Sequence, residues 1–286
     1  MNERKQHVIK ISHQLFIEKG FHSTSIQDIL EASGISKGTF YNYFSSKNEL
    51  FKEVFSTLYF HLEEEREAIL IGKDRTSIEI FMEQMEFQLK KNRANRVLPL
   101  FEEAFFSKEE ELKQFIAGIQ LRTISWVYNR FIDIFGEEKK PYLLDGAITF
   151  MGILHQNLRY EALAHGNKDQ LLPVIQFSVD RIVHMIGETS RSKSQLFEPE
   201  LLNNWLPKDT NREEELRRRL REVMTQLKAN IVEDQFYELL DFIEDELVDS
   251  KKPRKFLIET TYQTLEKHLP SVTLTELRKV ISDFIE

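Results

Sequence analysis

The chain has 286 residues, of which 41% are hydrophobic and 11% aromatic, so it can bury a large apolar core and is not compositionally disordered. It contains no cysteine, which excludes disulfides and thiolate metal sites and favours a cytoplasmic protein. The net charge of −8 argues against a general nucleic-acid coat. The polar N-terminus and the lack of long apolar windows predict neither a signal peptide nor a membrane span.

Apolar residues recur at helical spacing along almost the whole chain, and strict alternation is nearly absent. This pattern predicts an all-α protein. A polar run at 189–194 is typical of a linker. We therefore expect three parts: a head at 1–47, a body at 48–190 and a C-terminal helical extension at 191–286. Helices are predicted within the extension at 212–232, 234–249, 254–268 and 273–285.

The head carries the densest set of helix start and stop signals. A first helix is predicted over about residues 3–19, ended by Gly20 as a left-handed cap. Thr24 and Ser25 each begin a capping-box pattern for a short second helix. Gly34 ends that helix and permits a sharp turn.

A third helix is predicted to begin after Ser36, which can act as its N-cap. Phe40 and Phe44, four residues apart, are expected to face inward. The outer face then carries a cation for phosphate, Asn and Thr for base edges, and Tyr hydroxyls for the DNA backbone. Residues 1–50 contain six Lys/Arg and five Asp/Glu, so the acidity lies in the rest of the chain and leaves the head able to approach phosphate.

The stretch from Gly20 to Leu50, GFHSTSIQDILEASGISKGTFYNYFSSKNEL, resembles the DNA-binding signature of the TetR/AcrR family of transcriptional regulators. In that signature a G-[FY]-x-x-[TS]-[TS] entry precedes G-[IV]-S-x-G-x-[FL]-Y-x-[YH]-F-x-x-K. Asn42 stands where the family varies widely, and Tyr43 replaces a common His. The DNA contacts that the resemblance implies are Thr24, Ser25, Ser36, Lys37, Gly38, Thr39, Tyr41, Asn42, Tyr43 and Lys47.

The resemblance also implies a helix-turn-helix three-helix head on a TetR-like helical sensor and dimerisation domain, with the extension as an addition. It implies a ligand-responsive regulator, most often a repressor, that binds a palindromic operator as a homodimer and is released by a small effector. Efflux and lipid-metabolism genes are frequent targets of the family. Helices over about 141–164 and 168–186 are expected to form the dimer face, with apolar positions that include Leu144, Ile148, Met151, Leu154, Leu172, Ile175, Val179 and Ile182.

An aromatic-rich region in the body suggests an apolar or aromatic effector. Its candidate lining residues are Phe101, Phe105, Trp126, Phe131, Phe150, Met151 and His155. Aromatic residues at helical spacing also form ordinary core, and the pattern alone does not distinguish the two.

Other functional classes find little support. HExxH, GxSxG, P-loop, GxGxxG and cysteine-nucleophile patterns are all missing from the sequence, so no enzyme, cofactor or metal site is expected. The alternative is a helical protein-interaction module with a vestigial DNA-binding head, acting through the extension. The three arginines at 217–219 could contact DNA that flanks the operator, but the surrounding carboxylates favour a solvated helix face.

Overall fold

The computed structural model describes residues 3–106, 109–166, 170–205, 234–248, 253–268 and 271–285, with scattered positions between 216 and 231. Over these residues it contains helices and turns without strands, so the predicted all-α class is confirmed. Within the same stretches, none of the helices combines the length and apolar character needed to cross a bilayer.

The helices fall in two groups along the chain. The first group is α1 (Glu3–Lys19), α2 (Ile26–Ser33), α3 (Lys37–Tyr43), α4 (Lys47–Ala68), α5 (Ile78–Ala94), α6 (Val97–Phe106), α7 (Glu110–Phe135), a 3-10 turn (Glu137–Lys139), α8 (Lys140–His165), α9 (Leu171–Ser192) and α10 (Glu200–Trp205). The second group is α11 (Asp234–Val248), α12 (Lys255–Glu266) and α13 (Ser271–Ile285).

Internal contacts divide the chain after Leu206 into two compact units. Residues 191–205, which the sequence places in the extension, pack in the first unit. The Asp145 carboxylate of α8 accepts hydrogen bonds from the backbone N–H groups of Leu196 and Phe197, at 2.7 and 3.0 Å. Leu202 of α10 is buried in the core that α8 and α9 share.

The core of the head joins α1, α3 and α4. Phe16, Phe40 and Phe51 are buried there, and the rings of Phe16 and Phe51 lie 5.9 Å apart. A 2.9 Å ion pair between Lys5 and Glu53 ties α1 to α4 at the edge of this core. Helix α4 begins at the end of the head and continues into the body, so it connects the two.

The core of the body lies between α5, α7, α8 and α9. The rings of Phe81, Phe131 and Phe150 meet there with centroids 5.4 to 5.8 Å apart. A Cβ atom at Gly146 would lie 3.1 Å from the Ile186 side chain, so the glycine lets α8 and α9 pack closely. This close packing makes α8 and α9 a paired element.

A polar network is buried between α4, α5 and α7. Arg66 and Arg130 are only 4% and 2% exposed. The Gln84 side-chain amide donates to the Arg66 carbonyl and accepts from Arg130 Nε, both at 3.0 Å. Arg130 also donates to Asp133 at 2.7 Å, while burial lowers the pKa of the Arg130 guanidinium. Since a buried charge is costly without such partners, the network fixes how the three helices meet.

The second unit has its own apolar core, to which Leu240, Ile258 and Leu277 contribute one residue from each of α11, α12 and α13. These helices match the predicted ones at 234–249, 254–268 and 273–285. The predicted helix at 212–232 lies largely outside the described residues, as do Arg217 and Arg218. Arg219 is described and forms a 2.7 Å ion pair with Asp283 of α13.

Candidate nucleic-acid interface

The start of α3 is fixed by the turn that precedes it. Gly34 ends α2 in the left-handed region, with φ +66°, and its N–H donates to the Leu30 carbonyl. Ser36 then caps α3, because its hydroxyl accepts a 3.1 Å hydrogen bond from the Thr39 backbone N–H. The predicted turn and the predicted N-cap are both present, and together they set the direction of α3.

The two faces of α3 differ sharply in burial. Phe40 and Phe44 are 0% and 1% exposed and anchor the helix in the head core. Lys37, Gly38 and Asn42 are exposed. Tyr41 keeps 47% of its surface accessible. This outward face, formed by residues 37, 38, 41 and 42, is called the α3 surface below.

Gly38 is not required by packing within the chain. A Cβ atom at this position would meet only the Ser36 hydroxyl, at an ordinary 3.8 Å. The bare backbone of Gly38 therefore leaves room for something outside the chain. A partner could approach the helix axis more closely here than at any residue that carries a side chain.

Thr39 and Tyr43 border the α3 surface and are half-buried. The Thr39 hydroxyl lies 2.9 Å from that of Ser36, within hydrogen-bonding distance. The Tyr43 ring packs against the head core. Both side chains are thus held in place while part of each remains accessible.

Thr24 and Ser25, the two predicted caps of α2, have different environments. Ser25 is the actual N-cap, and it forms a reciprocal capping box with Asp28. Thr24 is fully buried, and its hydroxyl donates to the Gly20 carbonyl at 2.7 Å. Of the two, only Ser25 is exposed at the surface. The sequence contained both capping-box patterns and did not show which residue would act as the N-cap.

Lys47, the first residue of α4, is half-buried rather than extended into solvent. Its ammonium group donates to the carbonyls of Phe21 and Thr24, both at 2.9 Å. It also lies 4.4 Å from the centre of the Phe21 ring. Burial lowers the pKa of this lysine. In this geometry Lys47 ties α4 to the connection between α1 and α2.

Replacing Lys47 with Met is expected to lower the free energy of unfolding by about 1–3 kcal/mol, because two carbonyls lose a charged donor. Lys37→Met removes the same charge from the exposed first residue of α3 and is expected to change stability by less than about 0.5 kcal/mol. Urea denaturation followed by circular dichroism measures both. Equal losses in the two variants would contradict the role assigned to Lys47.

The head also contacts α6 through residues that the sequence did not reveal. The backbone N–H of His22 donates to the Glu103 carboxylate at 3.2 Å, and the His22 ring nitrogen lies 2.9 Å from the Glu103 carbonyl. Arg96 donates to the Ile17 carbonyl at 2.8 Å. These partners are about 80 residues apart in sequence, so no local pattern could have identified them.

The seven candidate lining residues do not form one cluster. Phe101 belongs to the head core, where its ring lies 5.0 Å from that of Phe55. Phe131 and Phe150 are buried in the body core, with Trp126 and Met151 partly buried against them. Phe105 and His155 are exposed.

Trp126 joins the aromatic core of the body to the buried polar network. Its indole nitrogen donates to Glu67 of α4 at 2.9 Å. The Arg66 guanidinium lies 3.8 Å from the centre of the indole ring. The Phe81 ring also stacks on the indole, with centroids 5.7 Å apart. Trp126 thus contacts α4 through the side chains of Arg66 and Glu67.

The chain is similar to known proteins both in its head and over most of its length. A model for the bacterial regulatory proteins of the tetR family matches residues 8–54. The chain is 28% identical over 265 residues to the uncharacterized HTH-type transcriptional regulator YerO of Bacillus subtilis, covering 91% of this chain and 88% of YerO. It is 26% identical over 273 residues to YuxN of the same organism, covering 91% of this chain and 90% of YuxN.

A third relative matches over a much shorter stretch. The HTH-type transcriptional repressor DhaR of a Mycobacterium species is 38% identical over 58 residues, which cover 19% of this chain and 29% of DhaR. The matches to YerO and YuxN extend much further. Since each covers 91% of this chain and the first unit ends at Leu206, both must continue well into the second unit.

Proposed function

We propose that the chain is a DNA-binding transcriptional regulator of the TetR family rather than an enzyme, and that it is a repressor that binds a palindromic operator as a homodimer in the cytoplasm. A small apolar or aromatic effector releases it. An efflux or lipid-metabolism gene is the target that the family resemblance suggests.

The observation that carries this proposal is the α3 surface. Lys37 and Tyr41 are exposed while Phe40 and Phe44 anchor the same helix. Lysine and tyrosine side chains suit phosphate oxygens, and the amide of Asn42 suits the edge of an adenine in the major groove. The head has little excess charge, so DNA binding depends on these placed side chains.

The predicted DNA contacts divide into two groups by geometry. The exposed residues, together with the half-buried Thr39 and Tyr43 that border the α3 surface, are proposed to contact DNA directly, namely Ser25, Ser36, Lys37, Gly38, Thr39, Tyr41, Asn42 and Tyr43. Thr24 and Lys47 make their hydrogen bonds inside the head. We propose that these two act by holding α2 and α4 in the positions that present the α3 surface.

The homodimer is proposed to form through the outward faces of α8 and α9. Tyr160, Leu163 and Phe177 are exposed there, at 64%, 74% and 47%. Apolar side chains of this size are typical of a subunit interface. Of the eight apolar positions named from the sequence, Leu144, Leu154, Ile175, Val179 and Ile182 lie in the protomer's own core, Ile148 and Met151 are partly buried and Leu172 is exposed.

Effector release is proposed to involve Trp126 and α4. A ligand with a flat apolar surface could compete with Phe81 for the indole face, and so change the contacts of Trp126 with Arg66 and Glu67. Both of those residues belong to α4, which begins in the head. A shift of α4 would alter the separation of the two recognition helices, which must match successive major grooves about 34 Å apart.

A salt titration tests the proposed phosphate contacts. Binding to a labelled duplex is expected to weaken by a factor of about 10³ or more between about 50 and 200 mM salt. The reason is that cationic side chains of the protein displace counterions from the DNA phosphates when they bind. Fluorescence anisotropy gives the dissociation constant at each concentration. A slope near zero in the logarithmic plot would contradict phosphate-anchored binding.

A further inference from the structure

A polar notch lies on the head beside the α3 surface. Arg4 and His7 of α1 form one side, and residues 33–36 of the turn between α2 and α3, with Thr39, form the other. Its volume is about 300 Å³. Arg4, His7, Gly34 and Ser36 are all exposed, so the notch is accessible from the surface.

The lining of the notch suits an anion better than an apolar ligand. Among the described residues that line it, Ile35 alone is apolar. The others supply a guanidinium, an imidazole and the hydroxyls of Ser36 and Thr39. Guanidinium groups bind phosphate oxygens through two parallel hydrogen bonds, and hydroxyls can add neutral ones.

Arg4 and His7 are placed to act together. They are three residues apart in α1 and therefore lie on the same side of that helix. The opposite wall is open at Gly34, where an added Cβ would have no neighbour within 4 Å. A bulky group between the two walls would therefore meet polar atoms on both sides without a steric clash at the turn.

The position of the notch identifies the source of the anion. Ser36 and Thr39 line the notch and also belong to the first turn of α3 and its cap. A duplex whose bases contact the α3 surface therefore brings its sugar-phosphate backbone past these residues. We propose that Arg4 and His7 bind a backbone phosphate of DNA in this notch, an inference that rests on the proposed DNA-binding function.

The test compares four variants of the full chain on a labelled mixed-sequence duplex. Arg4→Gln and His7→Gln remove the proposed contacts, and Arg4→Lys keeps the charge but not the paired hydrogen bonds. Lys10→Gln is the matched control, since Lys10 is an exposed cation on α1 that does not line the notch. The dissociation constant is measured over a range of salt concentrations by fluorescence anisotropy.

Arg4→Gln is expected to weaken binding about tenfold and to reduce the salt slope by about one per head, because one phosphate contact is lost. His7→Gln is expected to weaken it less, Arg4→Lys to keep most of the slope, and Lys10→Gln to change affinity by less than about twofold. Arg4→Gln and Lys10→Gln curves that coincide would overturn the inference. Failure of the unmodified chain to bind any duplex would instead overturn the DNA-binding function, and the inference with it.

Inorganic phosphate is the alternative ligand for the notch, because it presents the same oxygens as a backbone phosphate of DNA. Isothermal titration of inorganic phosphate into the unmodified chain is expected to show no saturable binding, because one free anion lacks the adjoining duplex contacts. Saturable binding that Arg4→Gln abolishes, together with an unchanged DNA slope, would overturn the assignment to DNA.

Discussion

The double variant Lys37→Ala/Tyr41→Ala is expected to weaken operator binding by about 3 kcal/mol or more per dimer, a loss of over about a hundredfold. Both side chains project from the outer face of α3, and neither contributes to the head core. Their removal should therefore leave the free energy of unfolding within about 1 kcal/mol of the parent value. Fluorescence anisotropy with a labelled operator duplex, recovered by selection from genomic DNA, measures the binding affinity. Urea denaturation measures the free energy of unfolding.

The control for this variant is Lys267→Ala/Tyr237→Ala. It removes the same two residue types from exposed positions in the second unit. Its operator affinity should match that of the unmodified chain. If the Lys37→Ala/Tyr41→Ala variant is folded and binds as tightly as this control, the α3 surface is not the DNA contact.

Phe150→Ala is expected to lower the free energy of unfolding by about 3–5 kcal/mol. Phe150 is fully buried, and its ring lies 5.4 Å from Phe81 and 5.8 Å from Phe131. Truncation removes these contacts and leaves a cavity in the body core. The measurement is the change in unfolding free energy from urea denaturation.

Phe105→Ala is the matched control, because Phe105 keeps 55% of its surface exposed. Its truncation should cost less than about 0.5 kcal/mol. Both phenylalanines are candidate lining residues by sequence. Comparing the stability losses of the two variants therefore shows which ring is part of the core and which lies at the accessible surface. A loss below about 1 kcal/mol for Phe150→Ala would indicate that this ring borders an open pocket instead.

Local signals predicted the head well. The first helix does end at Lys19, before a Gly20 with φ +87°, and α3 does begin at Lys37 after the Ser36 cap. Phe40 and Phe44 are buried as their spacing predicted. These features depend on residues within one or two helical turns, which sequence patterns describe directly.

The uses of individual polar side chains in the head were harder to predict. Lys47 has the sequence position of an exposed cation, yet two carbonyls from the connection between α1 and α2 bind it. The contacts of Glu103 with His22 likewise depend on how α6 packs against the head. Such contacts join distant parts of the chain, and helical periodicity carries no information about them.

The body shows the same limit for apolar residues. Phe131 and Phe150, candidate lining residues by sequence, are buried in the body core, and periodicity could not show that Phe101 packs with Phe55 in the head core instead. It also could not separate the exposed Phe105 from buried neighbours of the same type. An amphipathic pattern identifies the buried face of a helix without identifying what that face packs against.

Selection of genomic DNA tests sequence-specific DNA binding by the α3 surface. Sheared genomic fragments are passed over the purified, effector-free chain, and the retained fragments are sequenced beside those retained by Lys37→Ala/Tyr41→Ala. Only the unmodified chain is expected to enrich a palindromic site whose half-sites are about one helical turn apart. Equal retention of unrelated fragments by both folded proteins would contradict this expectation.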